Sequence, residues 1–62
     1  SHADVRNTLF RMTKDRSARV RAALATAIGA WTRDNTISAL LRTLAGDRYS
    51  QVRKAAKTAL SR

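Results

Sequence analysis

The sequence predicts an all-α fold of two helical-hairpin repeats, four helices stacked as a fragment of an α-solenoid, and three observations carry that reading. The first is a duplicated stretch: Asp15 to Ile28 (DRSARVRAALATAI) returns 32 residues later as Asp47 to Leu60 (DRYSQVRKAAKTAL). Seven of its fourteen positions are identical, at Asp15/Asp47, Arg16/Arg48, Val20/Val52, Arg21/Arg53, Ala23/Ala55, Thr26/Thr58 and Ala27/Ala59. A period of about 20–50 residues marks an array whose units bury their apolar faces only against one another. The second is helical spacing before each copy: Val5, Leu9 and Met12 recur, with the same offset, as Ile37, Leu41 and Leu44. The third is composition, with no Pro, only Gly29 and Gly46, and an abundance of Ala and Arg. The chain reads as one domain over residues 1–62, with repeats at about 3–30 and 35–62.

Taken in order, Ser1 and His2 are read as a cloning remnant and left out of the functional argument. A first helix is expected from about Ala3 to Thr13, its apolar face weakened where Thr8 stands in the place of Leu40. Lys14 to Arg16 turn the chain, and Ser17 is placed to cap a second helix by accepting from its first backbone N–H groups. That helix is expected to end near Gly29 or Ala30, with Val20, Ala23, Leu24, Ala27 and Ile28 as its buried stripe. Trp31, just beyond, is expected in the core. Asp34 or Asn35 caps a third helix to about Ala45, and Gly46 supplies a permissive turn. A fourth helix, about Tyr49 to Ser61, repeats the stripe as Val52, Ala55, Ala56, Ala59 and Leu60. No polar capping helix follows it, which reads as a segment of a longer array or one that pairs with another copy.

A chain of this length hides only about 60% of its unfolded surface, and without Cys no disulfide reinforces so small a core. No run approaches a membrane span and the N-terminus lacks a secretory apolar core, so a soluble cytoplasmic protein is expected. Thirteen Lys and Arg face four Asp and no Glu, a formal charge of +9, which favours an acidic partner.

The residues carry a resemblance to a known family. An apolar first helix, a turn with Asp, and then V-R-x-A-A/L-x-x-A-I/L resembles the HEAT repeat, especially the short kind similar to phycobilin-lyase repeats. The matching residues are Leu9, Met12, Asp15, Val20, Arg21, Ala23 and Ala27 to Gly29 in the first unit. In the second they are Ile37, Leu40, Leu41, Leu44, Asp47, Val52, Arg53, Ala55, Ala59 and Leu60. The resemblance implies a curved stack whose second helices line a binding face, mostly for proteins and sometimes for nucleic acid. It also implies a structural ladder between repeats, which falls here on Asp15, Arg21, Asp47 and Arg53. Many such repeats are rich in Glu and Asp, and this chain departs from them in having no Glu.

Catalysis finds little support, because acid/base and metal sites need convergent His, Cys or carboxylates and the chain has one His and four Asp. No enzyme activity and no cofactor are expected. Asp4 complements the dipole of the first helix, and no phosphate-binding glycine loop appears. The HEAT-like DNA glycosylases, with aromatic residues and an Asp on the concave face, invite comparison with Trp31 and Asp34, but their site needs neighbouring repeats.

With the ladder arginines set aside, eleven cations remain, among them Arg6, Arg11, Lys14, Arg33, Arg42 and Arg62. Arg16 and Arg48 recur at the turns, and Arg19, Lys54 and Lys57 project from the polar side of the second helices. These five are the residues assigned to a partner or to phosphates, on the view that stacking aligns them along one edge; a solvated, solubilising face is the plainer alternative. The leading expectation is a noncatalytic scaffold for a protein partner or neighbouring repeats, with a nucleic-acid-binding module holding the backbone as the alternative. Membrane-surface binding is disfavoured because the Ala-rich apolar faces are needed for the core. Open end faces predict easy unfolding or self-association. A monomer that melts cooperatively above about 70 °C, beyond the usual mesophile range, contradicts this.

Overall fold

The computed structural model describes residues 2–31 and 34–61, apart from the side chains of His2 and Ala3. Ser1, Thr32, Arg33 and Arg62 therefore lie outside the described residues. Four helices follow one another: α1 (His2–Met12), α2 (Ala18–Gly29), α3 (Asn35–Ala45) and α4 (Ser50–Leu60). No strand occurs among the described residues.

The helix starts follow from local chemistry. Ser17 is extended and its hydroxyl accepts from Val20 N at 3.3 Å, while Asp34 does the same for α3 by accepting from Ile37 N at 2.9 Å. Tyr49 holds the equivalent position before α4 and makes no side-chain cap. The turn aspartates act instead in both units: Ser17 N donates to Asp15 Oδ1 at 2.8 Å and Tyr49 N to Asp47 Oδ1 at 3.0 Å. Each is an Asx turn, a side chain standing in for a backbone carbonyl two residues on. Gly46 closes α3 at φ −99°, so its turn makes no use of the left-handed region.

The core is made by three helices. Leu24, Ala25 and Ile28 of α2 pack with Ile37, Leu40, Leu41 and Leu44 of α3 and with Val52, Ala56 and Ala59 of α4. α1 packs far less closely on α2 than α3 does on α4. Leu9 is half-buried against the core, whereas Val5 and Met12 are 43% and 37% exposed. The first helix is thus the counterpart of α3 in sequence but not in burial. Thr8, which is exposed, cannot supply the apolar contact that the buried Leu40 gives α3. Thr13 closes α1 in a buried site by donating from its hydroxyl to Phe10 O at 2.6 Å.

Two expectations about α2 need correction. Ala23 and Ala27 are exposed, and the fully buried alanine is Ala25. The face of α2 turned inward runs through Arg21, Ala25 and Ile28, because α2 packs most extensively along α4 rather than within its own hairpin. Trp31 is also not in the core: it is 54% exposed, since α2 ends at Gly29 and the chain turns before the indole can lie over buried residues.

Small residues set how close α2 and α4 come. A Cβ added to Gly29 would stand 2.3 Å from the Ala59 Cβ and 3.2 Å from its Cα, so the backbones meet where no side chain fits. Gly29→Ala is therefore expected to destabilise the fold by about 1–3 kcal/mol, the range for overpacking a filled site. Urea unfolding followed by helical circular dichroism measures it, and an unchanged midpoint would show that the two helices have room to part.

Candidate functional site

The turns bring α2 and α4 together at their N-terminal ends, and the chemistry concentrates there. Arg21 is 8% exposed as a residue although it carries a full charge. Its Nε donates to Asp47 Oδ2 at 2.6 Å, its Nη2 to Asp47 Oδ1 at 3.2 Å, and its Nη1 to the Asp15 carbonyl. The guanidinium thus joins the turn of its own repeat to the turn of the next. The Tyr49 ring lies against it, with Arg21 Cζ 5.7 Å from the ring centroid. No buried side-chain nitrogen or oxygen among the described residues lacks a partner.

The pair perturbs both groups. The hydrogen bond from Arg21 holds the Asp47 carboxyl below its ordinary value of 3.8; burial works against it, and the Tyr49 N–H and the charges of Arg21 and Arg48 assist. The hydrogen bond to Asp47 raises the Arg21 guanidinium, again with burial opposing and the charge of Asp47 assisting.

Arg53 repeats half of this arrangement. Its Nη1 donates to the carbonyls of Asp47 and Arg48, both at 2.8 Å, as Arg21 does to the Asp15 carbonyl. Among the described residues it pairs with no carboxylate, and the Asp15 carboxylate accepts from the Ser17 N–H while its charge also acts on Arg21 without forming an ion pair with it. Of the four ladder residues, Arg21 and Asp47 are joined across the repeats, and Asp15 and Arg53 stand at the two outer ends.

The cations fall into separate groups. Arg16 and Arg48, with Lys14, line a shallow groove of about 430 Å³ around the Arg21–Asp47 pair and Tyr49. Lys54 borders a different groove of about 240 Å³, between α2 and α4, with Thr26, Ala55, Thr58 and Ala59. Arg19 and Lys57 are exposed on α2 and α4 and line neither groove. The five residues assigned from the sequence are thus divided, with Arg16 and Arg48 at the turn groove, Lys54 at the α2–α4 groove, and Arg19 and Lys57 on the open helix surfaces. Arg16 and Arg48 share the turn groove because they hold the same place in the two turns, whereas α4 carries Lys54 and Lys57 where α2 carries Ala22 and Ala25. Arg33 and Arg62 lie outside the described residues.

A third concavity, of about 270 Å³, lies between α1 and the start of α3, with Val5, Leu9, Trp31 and Ile37 as its apolar lining and Arg6 and Asp34 beside them. Trp31 and Asp34 do share this cleft, but the Asp34 carboxylate already caps α3. Sequence reasoning missed the cleft because it placed Trp31 in the core. Among the described residues no three His, Cys, Asp or Glu converge to hold a metal ion, and no helix is long and apolar enough to cross a membrane. Phe10, 53% exposed, lies beneath Lys14, whose Nζ is 5.1 Å from the ring centroid.

The comparison with known families agrees with this geometry. A family model described as HEAT repeats matches residues 1–61. The chain belongs to the HEAT-repeat family. HEAT repeats are helical-repeat modules that generally mediate protein interactions and are typically noncatalytic. No curated protein and no solved structure matches the chain significantly.

The Arg21–Asp47 bridge gives this HEAT pair an acid limb. Asp47 has its pKa lowered on folding, so its contribution is fully present above the ordinary carboxylate value. It is lost as pH falls through the lower folded value. Asp47→Asn is expected to lower the thermal midpoint at pH 7 and to flatten its fall as the pH drops below the ordinary carboxylate value of 3.8. Parallel acid melts of the two proteins test this, and parallel curves would show that the bridge contributes nothing to acid stability.

Proposed function

We propose that this HEAT-repeat chain is a noncatalytic interaction module that holds an acidic segment of a protein partner. The contacts lie on the turn groove and on the α2–α4 ridge. The observation that carries the reading is the turn groove, where Lys14, Arg16, Arg21 and Arg48 meet only Asp15 and Asp47. Arg21 and Asp47 are engaged with each other, which leaves the remaining cations in excess on an open surface. Asp and Glu side chains of an extended or helical partner fit such a surface as charge-assisted hydrogen-bond acceptors. Lys54, Lys57 and Arg19 extend the positive field along the ridge and steer encounter more than they fix geometry.

A nucleic-acid backbone is the second reading, favoured by the charge of +9 with no Glu. The aromatic residues speak less for it. Tyr49 lies against Arg21 in the turn groove, Phe10 beneath Lys14, and Trp31 in the separate cleft between α1 and α3, so the three exposed rings stand at different places and make no run of neighbouring platforms for successive bases.

Fluorescence anisotropy of a labelled acidic polypeptide, duplex DNA, single-stranded DNA and RNA, from low to physiological salt, separates the two. Tighter binding of the polypeptide at physiological salt is expected, and selective binding of a nucleic acid there would transfer the module to the second reading. Arg16→Gln with Arg48→Gln is expected to weaken the polypeptide about 2- to 30-fold, the product of two exposed ion pairs of about 0.2–1 kcal/mol each. Unchanged affinity would remove the turn groove from the site.

A further inference from the structure

The turn groove carries a charge that a single carboxylate does not match. Lys14, Arg16, Arg21 and Arg48 line it together with Asp15 and Asp47, so four cations face two anions and the excess is +2. The Arg21–Asp47 pair is neutral within itself, and Asp15 offsets only one of the three cations that remain. The backbone acceptors of the turns are taken as well. Arg21 holds the Asp15 carbonyl, and Arg53 holds those of Asp47 and Arg48. Among the described residues the guanidinium groups of Arg16 and Arg48 make no hydrogen bond and no ion pair, and the Lys14 ammonium meets only the Phe10 ring.

The kind of cation narrows the occupant. A guanidinium presents N–H donors in a fixed planar fork that fits two oxygens on one atom. A carboxylate has one charge and two oxygens, which suits one such fork. A phosphomonoester has a charge of about −1.5 to −2 at pH 7 and three acceptor oxygens, enough to engage both arginines and to offset the whole excess. A nucleic-acid phosphodiester carries only one charge per phosphate. The groove is shallow and open, so it suits a phosphate on a short stem more than one at the end of an aromatic ring, which would have no cavity to enter.

We propose, as a step that rests on the acidic-segment reading, that Arg16 and Arg48 clamp the phosphate of a phosphoserine or phosphothreonine in that segment of the protein partner, with Lys14 as the third cation. Binding is then switched by a mark on the partner. The phosphate also gives a signature, because its second ionisation falls near pH 6, where a carboxylate of ordinary acidity is already charged. The groups that face it are the Lys14, Arg16, Arg21 and Arg48 cations, the two aspartates and the Tyr49 phenol, with no His among them.

The test compares two labelled peptides of one Asp-rich sequence, with phosphoserine or Glu at the centre, by anisotropy at physiological salt. The phosphopeptide is expected to bind at least about tenfold tighter at about pH 7.5, the gain of one or more charge-assisted hydrogen bonds. That preference is expected to shrink toward about pH 5 as the phosphate loses its second charge. Arg16→Gln with Arg48→Gln is expected to bring the two peptides within about twofold of each other. Arg19→Gln with Lys57→Gln removes the same charge from outside the groove and is expected to leave the preference intact. Helical circular dichroism is recorded for every variant. Arg16→Gln alone serves if the double variant loses helicity, and is expected to lower the preference about twofold or more. A Glu peptide that binds as tightly as the phosphopeptide overturns the inference and leaves the acidic-segment reading standing, whereas binding of neither overturns both. The inference also falls if the preference survives Arg16→Gln with Arg48→Gln, or is lost equally with Arg19→Gln and Lys57→Gln. Displacement by inorganic phosphate or a DNA oligonucleotide as readily as by unlabelled phosphopeptide overturns it too.

Discussion

One guanidinium holds the two repeats in register. Arg21 reaches the carbonyl of its own turn and the carboxylate of the next, so it fixes the spacing of two loops that share no backbone hydrogen bond. Shielded from water, such a charge is tolerated only because its donors meet acceptors and its counterion is itself anchored by the Tyr49 N–H. With the turns fixed, α2 lies along α4 closely enough for Ala25 to be sealed and for Gly29 to touch Ala59. The hydrophobic contacts of α3 follow from that placement, since its four large aliphatic side chains fill the space the two second helices leave.

Much of this arrangement was legible in the chain, and what was not has physical reasons. The four helices are marked by period, by caps and by the two glycines, and the Ser17 and Asp34 caps act as their side chains suggest. The direction of α2 was read less well. Its alanines are nearly continuous, so periodicity alone allows several buried stripes, and tertiary packing on α4 selects the one through Ala25. Gly29 held the missing signal, because a small residue four positions beyond Ala25 marks a line of close approach. The exposure of Trp31 was hidden for a different reason: its placement depends on where the chain turns after α2, and large aromatic residues are apolar enough to suit either side.

The candidate site shows the same division. That Arg16 and Arg48 meet in one groove follows from their identical place in the repeat. Lys54 and Lys57 broke the repeat, and treating them as further members of a row overlooked that breaks in a pattern carry their own information. Where α2 has alanine, α4 has lysine, and the two helices consequently present different chemistry outward.

The weak attachment of α1 has a consequence for how the molecule comes together. α2, α3 and α4 contain every residue of the buried apolar cluster, so they form the cooperative part of the chain, while α1 adds little more than the half-buried Leu9. Stability is then unevenly distributed, and the first helix opens and closes at a smaller free-energy cost than the remainder. Its backbone amides are then expected to exchange with solvent by local opening, and those of α2 and α4 near the seam only on global unfolding. A partner that packed against α1 would draw it into the cooperative unit, so that binding would be felt first as a slowing of exchange in a segment that the core itself hardly restrains.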